Sequence, residues 1–257
     1  RSTLFTYTTL FRSAIYDTKN ALNGEQRLAT EKSKDLKLIK GLKDLNKSQL
    51  EDVTNKVNSA NTLTELSQLT QSTLKLNDKM KLLRDKLKTL VNPVKASLNY
   101  RNADYNLKRQ FNKALKEAKG ILNKNSGPNV NINDIQHLLT QIDNAKDQLN
   151  GERRLKEHQQ KSEVFIIKEL DILNNAQKAA IINQIRASKD IKIINQIVDN
   201  AIELNDAMQG LKEHVAQLTA TTKDNIEYLN ADEDLKLQYD YAINLANNVL
   251  DKENGTN

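Results

Sequence analysis

Residues 66–94 read LSQLTQSTLKLNDKMKLLRDKLKTLVNPV and carry the strongest periodic signal in the chain. Apolar or small side chains recur along this stretch at alternating spacings of three and four residues, which places them on one face of an α-helix. This seam consists of Leu66, Leu69, Thr73, Leu76, Met80, Leu83, Leu87, Leu90 and Val94. A helix of about 36 residues would be roughly 54 Å long. The stretch therefore predicts a long amphipathic helix that spaces modules apart.

The same seam returns near the other end of the chain. It consists there of Ile194, Ile197, Ala201, Leu204, Met208, Leu211, Val215, Leu218 and Thr222. Only 4% of the 257 residues are aromatic, whereas 28% are charged, and the chain has seven Gly and two Pro. This composition favours long helices over sheets, and it predicts an all-α protein.

An internal repeat organises most of the chain. LNGEQRL at residues 22–28 returns as LNGERRL at residues 149–155, an offset of 127. The other matching pairs follow at an offset of 128 and are 39–46 with 167–174, 76–80 with 204–208, 100–111 with 228–239, and Gly127 with Gly255. Each copy is predicted to hold two three-helix bundles joined through shared long helices, so the chain would be an elongated tandem array.

Shorter helices fill the rest of each copy. Residues 176–185 follow the capping residues Asn174 and Asn175, and Asp190 is predicted to cap the long helix that follows. Residues 123–134 are predicted to form a loop because Gly127 and Pro128 break helices.

Two further expectations concern packing. A helix over residues 132–149 is expected to continue through Gly151 into residues 153–173. The helix at 232–250 is expected to bury Leu235, Tyr239, Ala242, Ala246 and Val249, as Leu107, Phe111, Ala114, Ala118 and Ile121 would be buried in the first copy.

Residues 1–13, RSTLFTYTTLFRS, lie outside the repeat. Residues 4–13 differ at one position from LFPYTTLFRS, the translation of one reading frame of a common short-read sequencing adapter. We interpret residues 1–13 as a non-native segment derived from that adapter. The alternative is a capping β-strand, because Thr and aromatic residues favour strands.

The composition argues against several classes of function. The chain lacks Cys, so it has no disulfide or thiolate chemistry, and no apolar run approaches the roughly 18 residues of a membrane helix. Its net charge is +6, but no aromatic residues alternate with the basic ones, so nucleic-acid binding is not expected. A basic run is interpreted as a solvated face because it does not recur in the second copy, and it consists of Lys75, Lys79, Lys81, Arg84, Lys86 and Lys88.

Enzyme activity is not expected either. His137, His158 and His214 do not recur between the copies, and no phosphate-binding glycine loop, nucleophile motif or zinc spacing is present. We therefore expect no metal or other cofactor.

Three sequence patterns resemble those of the giant staphylococcal cell-wall-associated proteins of the Ebh type. They are LNG at residues 22–24 and 149–151, the helix that begins with NAD at residue 230, and LN-AQK-A-I-NQI from residue 173. That family alternates FIVAR and GA-like modules, both three-helix bundles. The resemblance implies GA-like modules at 30–80 and 156–208, a FIVAR-like module at 81–155, and partial FIVAR-like modules at 14–29 and 209–257.

The resemblance implies a secreted protein at the bacterial cell surface or cell wall, whose signal and anchor lie outside this sequence. The chain would be a non-catalytic helical spacer that supports envelope integrity. The alternative is an adhesive module that binds host serum albumin, a fibronectin-like matrix protein or a cell-wall polymer. Spectrin-like repeats fit less well, since the period here is longer and Trp is absent.

GA modules elsewhere bind albumin mainly through the middle helix and the turn after it. The candidate partner-binding residues implied in this chain are Gln177, Ile181 and Gln184, with Gln49, Val53 and Lys56 in the other copy. Albumin binders of that family carry an aromatic residue near the start of the middle helix. This chain instead has Ala176 and Gln177, and Ser48 and Gln49, which argues against albumin binding.

Overall fold

The computed structural model describes the backbone of residues 2–256 and the side chains of residues 7–256. Within that range the chain forms α-helices and no strand, which confirms the predicted all-α fold class. The helices are α1 (Ser2–Asn20), α2 (Gly24–Lys40), α3 (Lys47–Ser59), α4 (Leu63–Ala96), α5 (Leu98–Arg101), α6 (Tyr105–Ile121), α7 (Ile132–Asp147), α8 (Gly151–Glu169), α9 (Asn175–Ala187), α10 (Ile191–Thr221), α11 (Ile226–Leu229) and α12 (Glu233–Leu250).

The repeat is visible in the helix boundaries. The helices α3 and α9 each contain 13 residues, and α5 and α11 each contain four. Both α3 and α9 begin at a capping box in which an asparagine side chain accepts from the third helical amide. The local sequence at each start therefore specifies the same helix twice, once in each copy of the repeat.

The long helices carry the predicted seam. The helix α4 has 34 residues, and every seam residue from Leu66 to Val94 is buried or half-buried. Its counterpart α10 has 31 residues, and Asp190 caps it by accepting from the backbone N–H of Lys192 at 2.8 Å, as predicted. Only one seam residue of α10 is exposed, namely Leu204 at 37%.

The chain divides into two compact units. The first comprises residues up to 92 and residues 109–147. In it, α2, α3 and the start of α4 share a core of Ile39, Val53, Val57, Ala60 and Leu66. Further along the chain, α6 and α7 each bury one face, made of Phe111, Ala114, Leu115, Ala118 and Ile121 on α6 and Ile135, Leu138, Leu139, Ile142 and Ala145 on α7.

The second unit comprises residues 93–108 and residues from 148 onward. The helices α8, α9 and α10 pack against one another, α5 packs on α8, and α12 packs on α10. The shared core consists of Leu155, Ile166, Leu170, Leu173, Ile181, Ile185, Ile194, Ala201 and Met208. This arrangement is one complete three-helix bundle with an additional helix at each end.

The expected continuous helix through Gly151 is wrong. The helix α7 ends at Asp147 and α8 begins at Gly151, with Gln148, Leu149 and Asn150 between them. Gly151 is buried, and a Cβ placed on it would lie 2.6 Å from the carbonyl oxygen of Leu98. Because α5 approaches the start of α8 so closely, only glycine fits at this position.

The expected burial of α12 is also partly wrong. Leu235 and Ala242 are exposed, and Tyr239, Ala246 and Val249 are half-buried, whereas four of the five counterparts on α6 are buried and Leu107 is half-buried. The apolar face of α12 is only partly covered.

The two remaining expectations concern ends and loops. Residues 2–20 form the helix α1, so the alternative of an N-terminal strand is wrong, and side chains 7–20 of α1 are exposed. The interpretation of residues 1–13 as adapter-derived stays a prediction. The loop predicted at 123–134 is confirmed except at its end, because α7 already begins at Ile132.

Candidate functional site

The six predicted partner-binding residues lie on α3 and α9, and most of them are inside the protein. Four are at most 8% exposed, namely Gln49, Val53, Gln177 and Ile181. The other two, Lys56 and Gln184, are exposed. A side chain in the bundle core cannot contact a partner while the bundle is closed, so only the two exposed residues stay available as predicted contacts.

Asn46 is a fully buried polar residue at the start of α3. Its Oδ1 accepts from the backbone N–H of Gln49 at 2.9 Å. Its Nδ2 donates to the carbonyl oxygens of Ile121 at 3.1 Å and Pro128 at 2.9 Å. Together with the bond from the Lys47 N–H to the Lys124 carbonyl at 2.8 Å, these bonds form what we call the Asn46 clasp.

Asn174 makes the same clasp in the second copy. Its Oδ1 accepts from the Gln177 N–H at 2.8 Å, and its Nδ2 donates to the carbonyls of Val249 at 3.0 Å and Thr256 at 2.8 Å. The Asn175 N–H donates to the Lys252 carbonyl at 2.9 Å. We call this set the Asn174 clasp, and each of its members occupies the position of its counterpart in the repeat.

A glycine in each clasp leaves room for the asparagine. A Cβ on Gly127 would lie 2.6 Å from Asn46 Nδ2 and 2.5 Å from the Asn123 carbonyl oxygen. A Cβ on Gly255 would lie 2.6 Å from Asn174 Nδ2. Because both distances to the amide nitrogens are shorter than a carbon–nitrogen contact allows, the recurrence of this glycine in the sequence has a steric cause.

The two buried glutamines close the clasps from the inside. Gln49 Oε1 accepts from the Asn46 N–H at 3.1 Å, and its Nε2 donates to the Val130 carbonyl at 3.1 Å. Gln177 repeats the first bond, but its Nε2 lies 3.7 Å from the Met208 sulfur.

A different buried asparagine joins α5 to the bundle of the second unit. Asn102 Nδ2 donates to the Lys189 carbonyl at 3.1 Å, and its Oδ1 accepts from the Ile191 N–H at 3.0 Å. Arg154 donates to the Asn102 carbonyl at 2.7 Å and pairs with Asp104 at 3.0 Å. The loop between α9 and α10 is thereby held against α5.

Three members of the basic run on α4 are paired inside the first unit. Lys79 donates to Gln136 at 2.7 Å, Lys86 pairs with Asp143, and Arg84 pairs with Asp44. These bonds tie α4 to α7 and to the loop after α2. The interpretation of the whole run as a solvated face is therefore corrected, although Lys75, Lys81 and Lys88 are exposed.

Two lysines have a lowered pKa, one in the Asn46 clasp and one on α9. Burial and the neighbouring Arg84 guanidinium lower the pKa of Lys124, whose Nζ donates to the carbonyls of Lys43 and Leu45. Burial and the Lys252 charge lower the pKa of Lys178, whose Nζ donates to the Ile167 carbonyl at 3.1 Å. These ammonium groups are held by main-chain oxygens rather than by carboxylates.

The described residues offer little for catalysis. No group of three or more His, Cys, Asp or Glu side chains within that part of the chain is placed to hold a metal ion. His137 lies 2.9 Å from Gln141 and His158 lies 2.6 Å from Asn195, so these two imidazoles contact amides. None of the helices described above is long and apolar enough to cross a membrane.

The clasps were not predicted from the sequence, although their signal is present in it. Asn46 and Asn174 recur in the paired stretches 39–46 and 167–174, and Gly127 recurs as Gly255. An asparagine at a helix start indicates a cap. Nothing local indicates that its amide also reaches two carbonyls that lie 75 and 82 positions away along the chain.

Two protein families match the chain in alternation. The GA module family matches residues 25–79 and 152–207, and the FIVAR domain family matches residues 79–150 and 207–257. Both clasps therefore join the start of the second helix of a GA match to residues within the FIVAR match that follows it. The chain belongs to the proteins built from alternating GA and FIVAR modules.

Among these proteins the chain is a homologue of the staphylococcal Ebh proteins. It is 35% identical over 239 residues to the extracellular matrix-binding protein ebh of Staphylococcus aureus strain MW2, covering 93% of this chain and 2% of that protein. It is equally similar to the extracellular matrix-binding protein EbhA of strain Newman, of which it spans 7%. The crystal structure of an EbhA domain from S. aureus shares the fold, with a TM-score of 0.66 and 24% identity over 73% of this chain and 76% of that one.

Proposed function

We propose that this chain is a non-catalytic helical spacer of a bacterial cell-surface protein, with a role in envelope integrity. It would consist of modules at 30–80, 81–155 and 156–208 with partial modules on either side. The observation that carries the proposal is the buried clasp that occurs twice, at Asn46 and at Asn174, with every bond partner at the equivalent position of the repeat. A buried amide that satisfies two loop carbonyls fixes one module on the next.

The energetics of the clasp favour a rigid join over a hinge. Leaving a buried carbonyl without its donor costs about 1–3 kcal/mol, so each clasp resists separation of the two modules that it joins. A flexible linker would instead expose its main chain to water. The two clasps therefore suit a protein whose neighbouring modules keep a fixed arrangement.

Small-angle X-ray scattering on the full chain tests the spacer. A compact globule of this length would have a radius of gyration of about 18 Å. We expect a value well above that, together with a pair-distance distribution that has a long tail. A radius of gyration equal to that of the compact globule would contradict the proposal.

The adhesive alternative is favoured by one observation, which is that the relatives are named extracellular matrix-binding proteins. Its candidate contacts in this chain are the exposed Gln184 and Lys56. Calorimetric titration of human serum albumin and, separately, of fibronectin into the full chain tests it. Micromolar or tighter binding that is lost in Gln184→Ala/Lys56→Ala but kept in Asn183→Ala/Asn55→Ala would support adhesion, and the absence of heat would oppose it.

A further inference from the structure

A basic groove lies beside the Asn46 clasp. The end of α2, the first turns of α3 and the loop after α6 enclose a volume of about 610 Å³. The half-buried Leu50 provides an apolar part of its wall. Three lysines line the groove, namely Lys40, Lys47 and Lys124, and all three are exposed. We call this feature the junction groove.

The positive charge of the junction groove is only partly neutralised. Among the residues that line it, the acidic one is Glu51, which lies 3.8 Å from Lys47. Asp44 on the adjoining loop pairs with Arg84, and Lys43 on the same loop adds a further cation. Burial, and secondly the Arg84 guanidinium, lower the pKa of Lys124.

Helix stability does not account for this set of lysines. Lys40 lies in the last turn of α2, where a cation interacts favourably with the helix dipole. Lys47, however, is the first residue of α3, where the dipole disfavours a positive charge. Lys47 therefore adds to the positive potential that the helix dipole already produces at this end of α3.

The second copy provides a partial contrast. Asp171 stands at the position of Lys43 and Asn175 at the position of Lys47, whereas Lys168 and Lys252 match Lys40 and Lys124, and Lys178 replaces Leu50. The Asp171 charge opposes the fall in the pKa of Lys178, so part of the positive potential is cancelled there. The second copy thus keeps most of the cations but places an acidic residue among them, and Lys47 is not required for a clasp to form.

We propose that the junction groove binds a linear polymer of phosphate groups, with Lys40, Lys47 and Lys124 pairing with successive phosphates. The groove is open and has room for several groups, which suits a chain more than a single ion. The half-buried Leu50 accommodates the carbon atoms between the phosphates of a phosphodiester polymer. This binding is independent of the spacer function, since it uses side chains on the outside of the clasp.

Binding of short-chain inorganic polyphosphate to the full chain, measured by calorimetry at several salt concentrations, tests the proposal. The double variant Lys40→Gln/Lys47→Gln should weaken binding about tenfold or more and lower the slope of log affinity against log salt by between one and two. The matched control is Lys81→Gln/Lys88→Gln, which removes the same charge from exposed positions on α4 of the same unit. The control should change the affinity less than about twofold.

Three outcomes would overturn the proposal. They are equal losses in the two double variants, an absence of binding at low salt, and tighter binding of heparin than of polyphosphate, which would indicate a sulfated glycan instead. Circular dichroism melting of both variants checks that the fold is kept, and all four substituted lysines are exposed. A scattering profile of an extended chain with failed polyphosphate binding would reject this inference while leaving the spacer intact.

Discussion

Asn46 and Asn174 show how much one buried amide does in this chain. Each side chain accepts one bond and donates two, so it caps a helix and also satisfies two loop carbonyls. An alanine would lose the cap and leave both carbonyls unpaired. Aspartate would keep the cap but would place a carboxylate against two carbonyl oxygens.

We expect Asn46→Ala to destabilise the first unit by about 3 kcal/mol, from about 1 kcal/mol for the cap and the rest for the unpaired carbonyls. Hydrogen exchange at the amides of Val53 and Val57 on α3 measures this loss. The control is Asn55→Ala, whose side chain is exposed on the same helix and whose loss should stay within about 0.5 kcal/mol. Equal effects of the two substitutions would show that the clasp contributes nothing.

Asp251 accepts main-chain hydrogen bonds in the loop after α12, next to the Asn174 clasp. Its Oδ1 accepts from the N–H groups of Asn254 at 3.0 Å and Glu253 at 2.9 Å, and these bonds lower the pKa of Asp251 below its ordinary value of 3.8. The stabilisation is therefore complete above the ordinary value and is lost as the pH falls through the lower, folded-state pKa. The first copy has Asn123 at this position, bonded to the N–H groups of Asn125 and Ser126.

We expect acid to loosen the loop after α12 and to leave the loop after α6 unchanged. Amide exchange and chemical shifts of Asn254 and Ser126, followed from neutral pH to about pH 2.5, compare the two loops. Asp251→Asn should remove the acid response of Asn254. An identical response of Asn254 and Ser126 would contradict the assignment to Asp251.

Among the helices, the two copies differ in how an equivalent helix begins. Gly24 opens α2 and Gly151 opens α8, at equivalent positions of the repeat. A Cβ on Gly24 would have no neighbour within 4 Å, whereas one on Gly151 would meet the carbonyl oxygens of Leu98 and Asn99. The same sequence motif, LNG, therefore has a steric requirement for glycine in one copy and none in the other.

We expect Gly151→Ala to destabilise the second unit by about 2 kcal/mol or more, because backbone oxygens cannot move away without shifting α5. Gly24→Ala is the matched control, and it should be neutral or stabilising by less than about 1 kcal/mol. Thermal unfolding followed by circular dichroism compares both variants with the unsubstituted chain. An unchanged stability of the Gly151→Ala variant would contradict the close packing of α5 on the start of α8.

Whole helices were predictable from the sequence to different extents. The seam of α4 follows from local spacing, and both the helix and its burial are confirmed. The break between α7 and α8 was not predictable, because a glycine within a helical pattern costs only about 1 kcal/mol and does not by itself end a helix. The close approach of α5 to Gly151 was not predictable either, because the residues in contact there are far apart along the chain.

Across the molecule as a whole, the two copies differ in how far equivalent helices are buried. The face of α6 is buried at Phe111, Ala114 and Ala118, but the equivalent face of α12 includes no buried residue. Tyr228 and Tyr239 stack edge to face with centroids 5.6 Å apart, and Lys223 pairs with Asp240 at 2.7 Å. These surface contacts do not replace a buried core.

We expect the amides of α12 to exchange much faster than those of α6, because α12 can open without disturbing a core. Native-state hydrogen exchange measured at the paired positions Tyr239 and Phe111 gives the comparison. The helix α10 serves as the internal reference, since it is packed against α8, α9 and α12. Equal protection of α6 and α12 would contradict the prediction.

The candidate functional residues, like the helices, were predictable from the sequence only in part. The middle helices were correctly located at α3 and α9, but four of the six residues chosen on them as partner contacts are buried. Choosing a helix requires only its periodicity and its caps. Choosing its exposed face requires the position of the neighbouring helices, and for Gln49 also that of a loop 81 residues away.

The all-α class, the internal repeat, the long seams and the helix caps followed from the amino-acid sequence alone. These features depend on side chains within a few residues of one another or on direct repetition. The packed fold was needed to show that Asn46 and Asn174 hold distant loops, that Gly151 starts a new helix, and that Lys79, Lys86 and Arg84 are paired. The physical reason is that burial and hydrogen bonding act through space, whereas spacing along the chain specifies only what lies on the same face of one helix.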